Sequence, residues 1–178
     1  LALDADYQVP DQLIREIEAL RAEHDVSAYQ ARFVYCIGGK ALRGTAYPPV
    51  TVLFRGSEAA YAQDGHTQRV RVKGRVDTLN NPILHDDRKP LSTWLLAQAR
   101  YTRLEADKLS STSFADLGAA DRVRRLIVVA PVVMFFYCLF VNGNLFDGRA
   151  GVFYALQRTV VELMVSLFLL ERRLAGRA

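Results

Sequence analysis

The sequence predicts a mixed α/β fold that is followed by an apolar helical hairpin. Segments rich in β-branched and aromatic residues alternate with polar turns between residues 26 and 85, and segments with helical spacing of apolar side chains flank them. Two long apolar runs follow residue 125. Alternation favours strands, and a 3.6-residue period favours helices. The 178 residues suffice for one ordinary domain, or for a small domain with an appendage.

Helix-start, turn and periodicity signals predict the individual elements. The predicted elements are a helix from Pro10-Asp11 to about Ala22, strands at 26–37, 50–54 and 61–72 (the last with a turn at Asp64-Gly65), a further strand within 76–85, and a helix from Pro90 to Leu109. We expect residues 1–110 to form one domain, 111–120 to be a linker and 121–178 to be the hairpin.

Charge is distributed unevenly along the chain, whose formal net charge is +4. Arginine clusters precede and follow the apolar C-terminal region, at 122–125 and 172–177. Such a pattern suits an anionic membrane surface or anionic substrates. We expect no nucleic-acid partner, because no zinc-finger, basic-zipper or RNA-binding aromatic motif is present. Cys36 and Cys138 are isolated, which predicts inert, buried thiols.

The two apolar segments predict a membrane hairpin or an interfacial anchor. Leu126–Val141 contains no charge but is shorter than the ~20 residues that span a bilayer. Val152–Leu170 is long enough, and its Arg158 and Glu162 lie four residues apart, on one helical face where they can pair. The flanking arginines would reach the lipid headgroups. The alternative is a water-soluble helical hairpin that packs on the first part.

An acidic pair, Asp4 and Asp6, follows the apolar residues at the start of the chain. This pattern predicts a buried strand that leads into a divalent-metal site, since residues i and i+2 of a strand point to the same side. Carboxylate oxygens suit Mg²⁺ or Mn²⁺. A helix cap or an ordinary turn explains the same pair. Because the chain opens inside this pattern and not with Met, we expect an N-terminal part to precede it.

Two further polar clusters can carry chemistry. Gln63–Arg69 gathers an acid, an imidazole, an amide and a guanidinium around a turn, where Asp64 can act as a general base; an ordinary Asp-Gly hairpin turn is the alternative. His85–Pro90 lies between a strand end and a helix start, where the first backbone N–H groups can bind phosphate. A solvated charge run is the alternative there, with acids favoured near the helix start.

These motifs together resemble the second half of a family two glycosyltransferase. The resemblance covers nearly the whole chain and rests on the order Leu-Asp-Ala-Asp, Tyr-Pro-Pro, Gln-Asp-Gly-His-Thr-Gln-Arg and His-Asp-Asp-Arg-Lys-Pro-Leu-Ser-x-Trp, followed by an apolar tail. It is similar to bacterial members of the lipopolysaccharide-core and cell-envelope glycan type. It implies the Rossmann-like GT-A fold, with this chain as the C-terminal half of that domain.

The resemblance implies an inverting, metal-dependent transfer from a nucleotide-sugar donor to a glycan or glycolipid acceptor. The implied site residues are the Mg²⁺ or Mn²⁺ ligands Asp4 and Asp6, the general base Asp64, the donor- and diphosphate-binding residues Arg69, His85 and Arg88, and the acceptor-side candidates His66 and Trp94. Asp6 is the expected direct ligand. The implied location is the bacterial inner membrane, with the active site on the cytoplasmic side.

Two departures from the family pattern accompany the resemblance. Some relatives have a His-Glu pair where this chain has Thr67-Gln68. The half that binds the nucleotide base would precede the acidic pair, so we expect the present chain to be inactive alone. Two alternatives stay open: a polyprenyl-phosphate sugar synthase, with a lipid phosphate as acceptor, and a non-catalytic membrane-anchored scaffold with a degenerate transferase domain.

Overall fold

The computed structural model describes residues 1–4, 6–21, 25–65 and 67–176 of the chain. It shows a mixed α/β architecture with several small sheets and a long apolar helix at the C-terminal end. The elements are β1 Tyr7–Gln8, α1 Asp11–Ala19, β2 Val26–Ala31, β3 Phe33–Ile37, β4 Lys40–Ala41, β5 Val50–Phe54, β6 Ala59–Asp64, β7 Thr67–Val72, β8 Arg75–Thr78, β9 Ile83–Asp86, α2 Leu91–Ser111, α3 Ala119–Arg125, α4 Val129–Phe136 and α5 Arg149–Leu174.

The chain divides into two compact units. The first comprises residues 1–62 and 68–88, and the second comprises 63–67 and 89–178. The sequence predicts a domain boundary near residue 110, but α2 packs along α5 and therefore belongs with the C-terminal helices. The segment expected to be a linker contains a 3₁₀ turn, Phe114–Asp116, and the beginning of α3.

The first unit contains a four-stranded and a three-stranded sheet, and some strands that follow each other in the sequence belong to different sheets. β9 lies between β1 and β3, with β4 at the edge, while β2 lies between β5 and β8. The single strand predicted at 26–37 is therefore two strands in different sheets, and the chain changes sheet at Arg32, whose carbonyl accepts a bond from the Ile83 N–H. Likewise, residues 76–85 contain parts of two strands, β8 and β9.

The predicted helices and most predicted turns are confirmed. Helix α1 begins at Asp11 after Pro10 and buries Leu13; its predicted end, Ala22, lies outside the described residues. The turn between β6 and β7 contains Gly65 with φ of 59°, a left-handed value that glycine adopts without strain. A Cβ at Gly65 would also collide with the Glu105 carboxylate. This turn therefore requires glycine.

The expectation of a buried strand ahead of the acidic pair is wrong. Residues 1–4 form no strand, and the Leu1 side chain is 65% exposed. The strand comes after the pair instead, at β1, where Tyr7 and Gln8 pair with His85 and Leu84 of β9. Among the described residues of the apolar start, Ala2 donates its backbone N–H to the Val52 carbonyl, and residues 1–4 form no ladder with a neighbouring strand.

The second unit is a set of helices around α5. Residues of α2, α3's flanks and α5 form one core cluster: Ala106, Leu109, Leu117, Ile127, Val165 and Leu169. The first predicted apolar segment is interrupted at Ile127, which has φ of 63°, and it ends in a π-helical turn, Tyr137–Val141. The second predicted segment lies wholly inside α5.

Among the described residues, α5 is the one helix that is long and apolar enough to cross a membrane. Of its most apolar 18-residue window, 39% is buried within the structure. The core helix of a soluble protein, which is mostly buried, can have the same length and apolar composition. The predicted pairing of Arg158 with Glu162 is present at 3.9 Å, with Glu162 buried.

Candidate metal centre at the ends of β1 and β9

The pairing of β1 with β9 brings together side chains that are far apart in the sequence. Tyr7 lies opposite His85 in this antiparallel pair, so Asp6 arrives beside the end of β9. His85 and Asp87 are two residues apart at that end, an arrangement that places both side chains on one side of an extended segment. The three residues Asp6, His85 and Asp87 form the candidate metal group of the first unit.

One distance in this group can be compared with the coordination sphere of a six-coordinate divalent cation. One ligand atom from each residue lies within 4.8 Å of the other two, and all three residues are partly buried. The closest pair, His85 Nε2 and Asp6 Oδ2, is separated by 3.0 Å. Adjacent ligands in an octahedron with metal–ligand distances near 2.1 Å are about 3 Å apart. The shortest edge of the group therefore matches such a coordination sphere.

The His85 imidazole has no hydrogen bond among the described residues that would explain why it is buried. Both ring nitrogens are buried and have no hydrogen-bond partner among the described residues. Nε2 lies 3.0 Å from Asp6 Oδ2, but this approach does not meet the geometry of a hydrogen bond. A buried polar group without a hydrogen bond is costly, which makes the His85 imidazole a candidate ligand.

Asp4 has a different role from Asp6 in this structure. The Tyr7 hydroxyl donates a hydrogen bond to the Asp4 carboxylate. Burial, together with the negative charges of Asp4 and Asp6, raises the pKa of Tyr7 well above its usual range. The sequence predicts both acids as metal ligands; the metal group found among the described residues includes Asp6 and not Asp4.

Three aromatic rings surround the imidazole of His85. The rings of Tyr7, Phe33 and Tyr35 meet it edge-on, with centroid distances of 5.5, 5.2 and 4.7 Å. Phe33 and Tyr35 are themselves buried. The rings fix the plane of the imidazole and lower the local dielectric, which strengthens the attraction between its neighbouring carboxylates and a cation.

Arg88 and Asp86 form an ion pair next to the metal group. Asp86 is buried, and its Oδ2 accepts a bond of 2.7 Å from Nε of the largely exposed Arg88. The Arg88 side chain as a whole is 72% exposed. A guanidinium so placed suits an anionic group, as the sequence predicts for Arg88.

Of the other predicted site residues, Arg69, Trp94 and Asp64 do not belong to this group. Arg69 is exposed on β7. Trp94 is a buried core residue of α2, in the second unit. Asp64 also belongs to the second unit, and His66 lies outside the described residues.

Asp64 takes part in a chain of ion pairs in the second unit. Lys108 Nζ lies 2.6 Å from Asp64 and 3.2 Å from Asp121, and Arg124 joins Asp121 at 3.1 Å to Glu162 at 2.9 Å. Burial lowers the pKa of Lys108, but its hydrogen bonds and charge contacts with Asp64 and Asp121 outweigh burial and raise it. Lys108 therefore stays protonated and neutralises the Asp64 carboxylate.

Sequence reasoning missed two parts of the site. The sequence places Asp87 in the predicted phosphate-binding cluster, although its spacing from His85 is the same i, i+2 spacing as that of Asp4 and Asp6. That spacing could have predicted it as a ligand. The ring cluster has no comparable signal, because Tyr7, Phe33 and Tyr35 converge only through the pairing of three strands.

Comparison of the chain with family models, with curated proteins and with solved structures gave no match.

Proposed function

We propose that this chain is the metal- and acceptor-binding half of an inverting glycosyltransferase of the GT-A fold. The enzyme would transfer a sugar from a nucleotide-sugar donor to a cell-envelope or lipid-linked glycan. The observation that carries the proposal is the group of Asp6, His85 and Asp87, which gathers two carboxylates and an imidazole without hydrogen bonds at one sheet edge. The resemblance of the sequence motifs supplies the reaction class.

The donor set fits a divalent cation that binds a diphosphate. Two carboxylates offset its charge, and three protein ligands leave positions for phosphate oxygens and water. The imidazole favours Mn²⁺ over Mg²⁺, because Mg²⁺ prefers oxygen ligands throughout. A cation held there would neutralise the charge that develops on the departing nucleoside diphosphate. Arg88, beside the group, would bind the same phosphates through its exposed N–H groups.

We still propose Asp64 as the general base. The sequence does not reveal that it forms an ion pair with Lys108. Its carboxylate lies 2.6 Å from the Lys108 ammonium, a contact that fixes its position. A base must be ionised before it can accept the proton of an acceptor hydroxyl. Trp94 is buried, so we now assign it to the packing of α2 and no longer to acceptor contact.

The second unit would attach the enzyme to the cytoplasmic face of the inner membrane. Large apolar side chains are exposed along α4, the π-helical turn, the 3₁₀ turn Asn144–Asp147 and α5, among them Phe136, Phe140 and Phe146. The Arg173 guanidinium donates to the Arg125 carbonyl at 3.1 Å, so both arginine clusters lie at one end of the hairpin. This arrangement supports a hairpin that enters and leaves through one headgroup layer.

The test is sugar transfer by the intact protein, meaning this chain with the nucleotide-binding half that the resemblance implies. We expect Mn²⁺-dependent transfer from one member of a nucleotide-sugar panel, and its loss in Asp6→Asn. Asp77→Asn, in an exposed ion pair of the same unit with Arg75, is the control and should transfer normally. Metal-independent transfer, or normal turnover by Asp6→Asn, would overturn the proposal.

A further inference from the structure

A stack of aromatic rings leads from the candidate metal group to the surface of the first unit. Tyr47 lies nearly parallel to Tyr35, with a centroid distance of 5.8 Å and an interplanar angle of 9°. It also contacts Phe33, with a centroid distance of 5.5 Å. Both of these inner rings touch the His85 imidazole. Tyr47 is thus separated from a metal-ligating side chain by one layer of rings.

Tyr47 differs from the inner rings in its exposure. It is 40% exposed, whereas Phe33 and Tyr35 are buried. The following Pro48 and Pro49 restrict the backbone, because each proline ring fixes its own φ and restricts the residue before it. The Tyr47 N–H also donates to the Thr45 hydroxyl at 3.2 Å. A supported aromatic ring in a restricted loop is preorganised to receive a ligand.

We propose that Tyr47, backed by Tyr35, is a stacking platform for the sugar ring of the donor whose diphosphate the metal group binds. This inference rests on the proposed function. The electron-rich face of an aromatic ring attracts the partly positive C–H groups of an apolar face. A hexose presents such a C–H face, while its hydroxyl groups stay available to polar partners.

The order of groups in a nucleotide sugar favours the sugar over the nucleobase. The transferred sugar is bonded directly to the diphosphate, whereas the base is separated from it by the ribose. A cation at Asp6, His85 and Asp87 fixes the diphosphate, and the first ring beyond the phosphates on the donor side is the sugar. The platform one ring layer from His85 therefore suits the sugar, and the nucleobase is the alternative that the experiment must separate.

The experiment uses the 178-residue chain with Mg²⁺ and four probes: UDP-glucose, UDP-galactose, UDP-N-acetylglucosamine and GDP-mannose. Saturation-transfer NMR reports which probe protons contact the protein, and Mn²⁺ titration followed by electron paramagnetic resonance reports the metal group. The variants are Tyr47→Ala, Tyr47→Phe and, as a matched control, Tyr61→Ala, an exposed tyrosine of the same unit. Circular dichroism melting establishes that each variant is folded.

We expect sugar-proton signals from at least one probe, and about fivefold weaker binding by Tyr47→Ala. Tyr47→Phe and Tyr61→Ala should bind like the unmodified chain, and Mn²⁺ affinity should be the same in all. Unchanged sugar signals in Tyr47→Ala, no sugar signal with any probe, or loss of nucleobase signals in place of sugar signals would overturn the platform alone. Failure of the unmodified chain to bind Mn²⁺ would overturn the proposed function as well.

Discussion

Two buried ionisable side chains, His85 in the first unit and Glu162 in the second, differ in their hydrogen-bond partners. In the first unit, the buried ring nitrogens of His85 have no hydrogen-bond partner among the described residues, although two carboxylates lie beside them. In the second unit, the Glu162 side chain is 1% exposed and accepts three bonds from Arg124, at 2.9 to 3.2 Å. Glu162 is thus neutralised within the fold, and His85 is where we propose that a cation binds.

This difference separates a binding site from a structural network. An ion pair with good geometry and several hydrogen bonds offsets the desolvation of its members, so Glu162 needs nothing from outside. An imidazole without partners between two acids gains most of its stabilisation from a bound cation or ligand. Asp64 bears on both roles. We propose it as the general base, and its ion pair with Lys108 also makes it part of the structural network of the second unit.

The largest expected effect is on turnover by the intact protein carrying Asp64→Asn. Loss of a general base typically lowers the rate on the order of 10²–10⁴-fold. Donor affinity should be unchanged, since Asp64 is proposed to act on the acceptor. Steady-state kinetics and donor titration measure both quantities.

Lys108→Met is the matched variant for this prediction, because it removes the ion pair and keeps the carboxylate. It should slow turnover far less than Asp64→Asn does. Equal losses in the two variants would show that Asp64 acts through its ion pair, as a positioning residue.

The next largest effect is on the stability of the second unit. Glu162→Ala leaves Arg124 mostly buried without its main partner, and we expect the free energy of unfolding to fall by about 3 kcal/mol. Urea denaturation followed by circular dichroism measures this change. Glu171→Ala, on an exposed position of the same helix, is the control. Replacing Arg124 and Glu162 together by leucine should recover most of the loss, and failure to do so would contradict a self-contained pair.

Exposed apolar residues of the two units should also differ in their response to lipid. Phe146 is 74% exposed at the turn between α4 and α5, and Tyr61 is 59% exposed in the first unit. We expect Phe146→Glu to weaken binding to vesicles of phosphatidylethanolamine and phosphatidylglycerol roughly tenfold or more, since it puts a charge in place of an apolar side chain that would insert into the lipid. Tyr61→Glu should bind normally. Equal binding by both variants in a flotation assay would contradict the membrane hairpin.

The smallest effect concerns acid stability of the first unit. Burial raises the pKa of Glu16, but four hydrogen bonds from the Asn80 and Asn81 amides outweigh burial and lower it. A lowered pKa means that Glu16 stabilises the fold above its unfolded pKa of about 4.3, and that this contribution disappears as pH falls through the lower folded value.

We therefore expect Glu16→Gln to lose about 1 kcal/mol at neutral pH, a small value because the site is partly exposed. The difference from the unmodified chain should shrink as pH falls below the unfolded pKa. Glu18→Gln, on an exposed position of the same helix, is the control. A difference that is constant with pH would contradict the role of the charge.

Local sequence patterns predict most helices and turns of the fold, but they do not predict which strands pair with each other. Helices α1, α2 and α5, strand β5 and the Asp64-Gly65 turn follow from periodicity and turn chemistry. The break at Arg32 does not, because the residues on both sides favour strands equally and only the choice of sheet separates them. Ile127 is similar: its left-handed backbone divides an apolar run that reads as continuous.

The sequence predicts which types of residue form the candidate site, but it does not predict which individual residues come together there. The acidic pair and the His85 cluster stand out in the sequence, but the pairing of β1 with β9 decides that Asp6 joins His85 and Asp87 while Asp4 contacts Tyr7. The contact between Lys108 and Asp64 could not be predicted either, because a long-range contact between a turn and a helix produces no periodic pattern in either segment.

The central claim is that the first unit binds a divalent cation through Asp6, His85 and Asp87, and Mn²⁺ titration of the 178-residue chain by electron paramagnetic resonance tests it most directly. We expect the unmodified chain to bind Mn²⁺, and both Asp6→Asn and Asp87→Asn to weaken binding by at least roughly tenfold, through loss of a carboxylate ligand. Asp4→Asn, the neighbouring acid, should retain affinity within about twofold, because Asp4 bonds to the Tyr7 hydroxyl. Absence of Mn²⁺ binding by the unmodified chain, or equal affinity in Asp6→Asn, would contradict the claim.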